Sequence, residues 1–238
     1  MIIGHIGVRG GSKGVPGKNL RPLCGKPLLQ WSLEHLRDHP RVDHLVLSTD
    51  DPEMHALGQD FGCLDIGLRP TELAQDTSSK WEVWQHSLSQ VEDLFKLSLT
   101  AFVDLDATCP LRDLEDIGNA LSLFEREAPD MVMSVTPARK NPYFNLVEPG
   151  PDGGLQVSKK LPGNVVSRQE APTVYEHAGP VYVVAPSYLK SAGWLYEGRV
   201  LPYVMPAERC FDIDDPFDFK LVEWLMSEKL KARSRPDK

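Results

Sequence analysis

The chain is 238 residues long, 41% hydrophobic and 25% charged, which excludes wholesale disorder and allows one large core. Its formal net charge of −8 argues against general nucleic-acid binding, which needs a broad basic face. No run approaches the apolar length of a membrane span, and Met1–Val8 is too short and wrongly flanked for a signal peptide, so a cytoplasmic protein with no nucleic-acid or membrane contact is expected.

Ile2–Val8 predicts a first buried strand. The loop after it reads Gly10-Gly11-Ser12-Lys13-Gly14-Val15-Pro16-Gly17-Lys18-Asn19. The first 33 residues carry Arg9, Lys13, Lys18, Arg21 and Lys26 without one acid, against the sign of the whole chain. Small residues let the backbone come close to phosphate oxygens, successive N–H groups can form an anion nest, and the cations neutralise charge. The loop is therefore a candidate polyphosphate cradle, with a soluble surface turn as the alternative. It is not a Walker A loop, because Ser12 stands in the place of the first glycine and Asn19 in the place of the hydroxyl residue. A dinucleotide fingerprint puts an acid about 20 residues beyond its glycines. Here the nearest acid at a strand end, Asp50, is about twice that far from Gly11.

Pro27 suits the first turn of a helix running to about Arg37, with Leu29, Leu33 and Leu36 along one face. Asp43–Thr49 predicts the second strand, Pro52–Phe61 a short helix ended by Gly62, and Cys63–Leu68 a third short strand. Asp76, Thr77 and Ser78 offer the start of a helix on which Trp81, Trp84, Leu88, Val91 and Leu94 recur as a core stripe. Leu99–Leu105 predicts a buried strand, Leu114–Arg126 a helix with Ile117, Leu121 and Phe124 inward, and Met131–Val135 the next strand. From Pro137 to Pro180 the periodicity is lost, which predicts an inserted arm at about 138–180 made of short strands or loops and suited to partner contact. Val181–Ala185 returns to the sheet, Pro186–Ala192 is a short helix, Val200–Met205 an edge-like strand interrupted by Pro202, and Pro216–Leu230 a last helix before the polar tail 231–238. The alternation predicts an α/β fold: a single domain over 1–230 with a Rossmann-like, mainly parallel sheet and helices on both faces. Cys24, Cys63, Cys109 and Cys210 lack any paired spacing and are read as reduced thiols, and His35 with His39 as solvated helix-end residues.

Two acidic pairs carry possible chemistry. Asp212 and Asp214 alternate with apolar residues, so an extended chain points both to one side. Hard carboxylate oxygens so placed suit Mg²⁺, and capping or solvated turn residues are the other reading. Asp215 followed by Pro216 fits a helix start. Asp104 and Asp106 share a face at the carboxyl end of a predicted central strand, where open α/β sheets bind ligands. Site and scaffold weigh equally there: Asp106 can touch substrate hydroxyls or a second metal, and Arg112 can be a helix-start cation paired with Asp113 or Glu115.

These residues together resemble the acylneuraminate cytidylyltransferases, the enzymes that make CMP-activated sialic and other nonulosonic acids. Besides the loop, the likeness rests on Arg69-Pro70 with Leu73-Ala74-Gln75-Asp76, Pro110-Leu111-Arg112, Asn141-Pro142-Tyr143-Phe144-Asn145, Arg168-Gln169-Glu170-Ala171-Pro172 and Phe211-Asp212-Ile213-Asp214, in order over nearly the whole chain. The resemblance implies transfer of CMP from CTP to the anomeric hydroxyl of a nonulosonic 2-keto sugar acid, with release of pyrophosphate. It implies a nucleotide site of Arg9, Gly10, Gly11, Ser12, Lys13, Lys18, Asn19, Arg69, Ser78 and Lys80, with Arg9, Ser12, Lys13 and Lys18 at the phosphates and Asn19 and Arg69 near the cytidine. Asp212 and Asp214 are implied to hold Mg²⁺, with Lys18, Arg9 and Asp214 catalytic. Asp106, Arg168, Gln169 and Tyr182 are implied to meet the sugar, and the arm to exchange between subunits of a homodimer. The alternatives are a 3-deoxy-octulosonate-type cytidylyltransferase and a non-catalytic CTP-binding protein. The chain departs from the family at Asp106, where a neutral glutamine is usual, and at Lys80, Glu176 and Ala178, which replace polar residues of the sialic acid enzymes. A nonulosonate other than N-acetylneuraminate is expected from these changes.

Overall fold

The computed structural model describes residues 1–11 and 14–233. The roles expected of Ser12 and Lys13, and the tail beyond residue 233, lie outside the described residues. Strand β1 (Ile2–Gly7) leads into the glycine-rich loop, a minimal hairpin of β2 (Pro22–Leu23) and β3 (Lys26–Pro27), and helix α1 (Leu28–Arg37). Next come β4 (His44–Ser48), α2 (Pro52–Asp60), α3 (Lys80–Phe95), β5 (Ala101–Asp104), α4 (Leu114–Glu127) and β6 (Met131–Pro137). A small excursion carries the hairpin β7 (Val147–Pro149) and β8 (Leu155–Val157), and the chain returns through β9 (Tyr175–Val184), α5 (Pro186–Ser191), β10 (Val200–Val204) and α6 (Pro216–Arg233).

Six strands form one sheet in the order β10-β6-β9-β5-β1-β4. β1 runs parallel to β4 and β5, and β10 parallel to β6, while β9 lies antiparallel between β5 and β6. Both faces are covered, as the unbroken apolar strands require. On one face Leu29, Leu33 and Leu36 of α1 and Ile117, Ala120 and Leu121 of α4 pack with Ile6, Val103 and Val183. On the other, Trp81, Trp84, Leu88 and Val91 of α3 and Leu189 of α5 pack on Ile3, Phe102 and Val184. α3 opens on a capping box between Ser79 and Glu82, which satisfies two backbone donors at once. Among the described residues, no helix is long and apolar enough to cross a membrane.

Four expectations are corrected. His39 is buried and the His35 ring nitrogen Nδ1 is shielded from solvent, so the pair is packed and not solvated. Cys63–Leu68 forms no strand beyond a single bridge between Leu64 and Val46, because Gly62 and Gly67 turn the chain into the left-handed region at both ends of it (φ +78° and +72°). Leu94 leaves the core stripe and is exposed, since it sits in the last turn of α3, just before Lys96 ends the helix in a left-handed cap. β9 begins at Tyr175, not Val181, and its first half pairs with β6 beyond a bulge. That half is largely exposed and so carries no core signal in its sequence.

Candidate active site

The basic loop and the Asp212–Asp214 segment meet because each hides one apolar residue in the same small core. Val15 and Ile213 are both buried in a third cluster with Leu23, Leu28 and Trp31 beneath the loop and Phe219 and Val222 of α6. Burying Ile213 stabilises its position by about 1.5–3 kcal/mol and turns its neighbours Asp212 and Asp214 out to solvent. Two hydrogen bonds add to this: Ile213 N–H donates to the Thr108 carbonyl at 3.0 Å, and the Lys18 ammonium donates to the Ile213 carbonyl across 195 residues of sequence. Gly14 lies directly on the Asp214 carbonyl, and a Cβ there would sit 2.0 Å from that oxygen. Asp215 is the helix start that its sequence predicts, accepting the N–H groups of Phe217 and Asp218 at 2.7 and 2.9 Å.

A cleft of two adjoining cavities, each about 310 Å³, opens at the carboxyl ends of β1 and β5. Gly7, Val8, Arg9 and Asp106 belong to both. The first also takes Gly14, Lys18, Asn19, Thr108 and Asp214. The second takes Arg69, Ser78, Lys80 and Trp84. Arg9 is ion-paired with Asp76 at 2.8 Å. Gly10 N–H, read from sequence as part of an anion nest, donates to Asp50 at 3.0 Å, whereas among the described residues none comes within 4 Å of the position a Cβ at Gly11 would take. Asn19 is buried and ties the limbs of the loop together by donating to the Arg9 carbonyl at 3.2 Å. The Arg69 guanidinium supports the floor by donating to the carbonyls of Val8 and Ser48. Ser78 braces a turn, with its hydroxyl donating to the Glu72 carbonyl at 3.0 Å.

Asp104 and Asp106 divide the two roles that the sequence leaves balanced. Asp104 is fully buried: its Oδ1 lies 2.5 Å from His5 Nδ1 on the register partner in β1, and its Oδ2 lies 2.9 Å from Lys80 Nζ. Asp106 keeps 27% of its side chain exposed, faces both cavities, and pairs with the same Lys80. Burial raises the Asp106 carboxyl above the usual range despite Lys80. For Asp104 burial pushes the same way, but Lys80 and His5 outweigh it and hold the carboxyl low. Burial also works against the Lys80 ammonium, and the two carboxylates overcome it, holding Lys80 well above the usual lysine range. Tyr182 is buried on β9, with its hydroxyl 2.8 Å from His177 Nε2 and 3.4 Å from Asp106 Oδ2.

Arg112 pairs with neither Asp113 nor Glu115 by any hydrogen bond. It is fully buried and spans three elements, donating to Pro180 O and Ser32 Oγ at 2.8 Å each and to the Asp106 carbonyl. It thereby fixes the turn that presents Asp106. Arg112→Ala should lower stability by about 3–5 kcal/mol, through orphaned buried acceptors and a cavity. Urea denaturation measures this, and a loss below about 1 kcal/mol would show the side chain to be dispensable.

Arg168 and Gln169 are exposed and line neither cavity; Arg168 donates to the Arg139 carbonyl at 3.1 Å. The residue that sequence reasoning missed is His5. The signal was a lone histidine in an apolar strand whose neighbour ends in an aspartate. Among the described residues, no group of three or more His, Cys, Asp or Glu is assembled to hold a metal. Among the described residues, Asp212 and Asp214 are therefore grouped with no third such side chain.

A family model described as cytidylyltransferase matches residues 3–204. The chain is similar to post-translational flagellin modification protein B of Campylobacter coli, at 34% identity over 228 residues and 96% of each chain. It is also similar to the CMP-N,N'-diacetyllegionaminic acid synthase of Campylobacter jejuni, at 35% identity over 228 residues and again 96% of each chain. The solved structure of CMP:2-keto-3-deoxy-manno-octonic acid synthetase complexed with CTP shares the fold, with a TM-score of 0.66 and 19% identity, over 96% of this chain and 99% of that one.

Proposed function

This chain belongs to the cytidylyltransferase family, and from that premise we propose that it transfers CMP from CTP to the anomeric hydroxyl of a nonulosonic acid, giving the CMP-sugar and pyrophosphate. The observation that carries this reading is the meeting of a cationic glycine loop with Asp214, two residues from the equally exposed Asp212, in one cleft at the carboxyl ends of β1 and β5. The name of the Campylobacter jejuni relative supports a legionaminic-type sugar acid, and the departures at Asp106 and Lys80 agree with a substrate other than N-acetylneuraminate.

In this reading the triphosphate lies along the loop, where Arg9 and Lys18 meet its charge, Gly11 leaves the backbone approachable, and Asn19 and Arg69 hold the walls about the cytidine. The anomeric oxygen bonds to the α-phosphorus, the bond to the bridging oxygen breaks, pyrophosphate departs and the hydroxyl proton is released. Catalysis of such a transfer is mostly alignment and charge stabilisation. Asp212 and Asp214 fit Mg²⁺ by donor chemistry. They are hard, exposed and close enough that Asp212, ahead of burial, raises the Asp214 carboxyl, a crowding that a hard cation relieves. Two protein carboxylates with water and phosphate completing the shell is an ordinary Mg²⁺ environment. When bound, the ion would neutralise charge gathering on the transferred and leaving phosphates.

The segment 138–174 fits a dimer arm. It exposes Leu146, Val147, Leu155 and Val166, and exchange between subunits would bring Arg168 and Gln169 to a partner's sugar site. Light scattering should report a dimer, and a monomer in solution would remove this part of the reading.

The test is pyrophosphate release with CTP, Mg²⁺ and a panel of eight- and nine-carbon 2-keto sugar acids. Turnover with a nonulosonic acid is expected, and preference for an octulosonate would replace it with the shorter-sugar reaction. CTP binding without turnover of any sugar would leave a nucleotide-binding protein. Lys18→Ala should lower kcat about 10- to 150-fold, the worth of a charge-assisted hydrogen bond, with KM for the sugar little changed. An unaltered kcat would take Lys18 away from the phosphates.

A further inference from the structure

Lys80 occupies the first turn of α3 and lines the second cavity beside Asp106, yet its ammonium is already engaged. It lies 2.9 Å from Asp104 Oδ2, bonds Asp106 Oδ1, and sits 4.1 Å from the centre of the Tyr182 ring and 5.2 Å from that of Trp84. Two carboxylates thus share one ammonium, and the nearest further cation, Arg112, is turned to the Asp106 carbonyl and not to its carboxylate. A phosphate therefore finds no free ammonium at Lys80, and the carboxylate of Asp106 offers it no donor. We propose that Lys80 and Asp106 form one sugar-reading unit, in which the Asp106 carboxylate accepts a hydrogen bond from a hydroxyl or acylamino N–H of the sugar acid and Lys80 is a positioning residue. The inference rests on the sugar-acid cytidylyltransfer reading above and names the group that selects the sugar.

The geometry of Asp106 sets what it can accept. Lys80 takes Oδ1, so the carboxylate cannot rotate freely, and Oδ2 faces Tyr182 and the Gly179 backbone. A Cβ at residue 179 would come 1.9 Å from Oδ2, so glycine alone leaves room for the carboxylate there. An ionised carboxylate only accepts hydrogen bonds, so the substrate atom that meets it is a donor. The sugar's own carboxylate is repelled and must lie elsewhere. From below, Asp104 is anchored by His5, whose second nitrogen lies 3.0 Å from Ser87 Oγ. Ser87, His5 and Asp104 repeat the order of a hydrolytic triad, but all three are fully buried, beyond reach of any substrate. What they supply is a fixed anion that holds Lys80 in place.

Steady-state kinetics in which CTP and sugar acid are varied separately, for the parent, Asp106→Asn and Lys80→Met, tests the unit. The sugars include the accepted acid and analogues in which one hydroxyl or acylamino donor at a time is methylated. Asp106→Asn should lower kcat/KM for the sugar about 10- to 100-fold and leave KM for CTP within about twofold. The parent's penalty for losing the donor at one sugar position should shrink in the variant. Lys80→Met should shift the same sugar parameter, with Lys80→Arg restoring part of it. A raised KM for CTP with unchanged sugar kinetics, or an analogue profile identical in parent and variant, would overturn the inference. Where Lys80→Met fails to fold, Asp106→Asn decides, because it keeps the Lys80–Asp104 pair. A parent inactive on every sugar acid would overturn the proposed reaction and this inference with it, an outcome distinct from altered selectivity.

Discussion

Asp214→Asn is expected to cut kcat/KM about 100- to 1,000-fold while the protein stays folded and, without divalent cations, becomes no less stable than the parent. The two effects part company because the segment is anchored by Ile213, which is buried, and not by Asp214, which faces the cleft. The Asp214 carboxyl stands above the usual carboxylate range, first because Asp212 is beside it and then through burial. A folded-state pKa raised in this way favours the protonated form. Its contribution to stability is present below about pH 4, the unfolded value, and is lost as pH rises through the folded value. At neutral pH the ionised pair therefore strains the fold, and Asn removes that strain. Mg²⁺ should raise the parent's melting temperature by mass action and leave the variant's nearly unchanged. Thermal melts with and without Mg²⁺, set beside pyrophosphate release, read both predictions. Near-parental turnover would take Asp214 out of the chemistry.

What the sequence made legible follows from where each signal resides. Strands buried on both faces are read from apolar runs, so β1, β4, β5 and β6 lie within a residue or two of their expected bounds. β9 was legible only over its buried half, because Tyr175, Glu176 and His177 are held by pairing to β6 and not by a core. At the site, Asp212 and Asp214 could be read from alternation, since period two is a local property. The cluster beneath them could not, because Val15 and Ile213 are ordinary apolar residues until the chain brings the loop and α6 together. His5 and Arg112 were opaque or misread for a similar reason. Each acts through strands or loops distant in sequence, His5 on Asp104 and Arg112 on Pro180, and local propensity says nothing of such partners.

Gly14→Val should lower kcat/KM at least about 100-fold, the scale expected when reacting groups are displaced by about 1 Å, although the substituted residue carries no functional group. The Gly14 Cβ position is 2.0 Å from the Asp214 carbonyl oxygen and 3.2 Å from its carbon. Both are backbone atoms of a segment pinned by Ile213, which donates to Thr108 and is buried against α6. They cannot swing aside as a side-chain tip would, so the loop must lift. Lifting it breaks the Lys18 contact to the Ile213 carbonyl and parts the cations from the carboxylates. Stability should fall far less, because Gly14 is exposed and, among the described residues of the loop from Gly10 to Asn19, only Val15 enters the cluster. The expected signature is weakened CTP binding together with lost turnover, read by calorimetry and pyrophosphate release, while the urea midpoint stays close to the parent's. If Gly14→Val kept parental kinetics, loop and carboxylates would not need to touch, and the arrangement on which the reaction is argued would be coincidental.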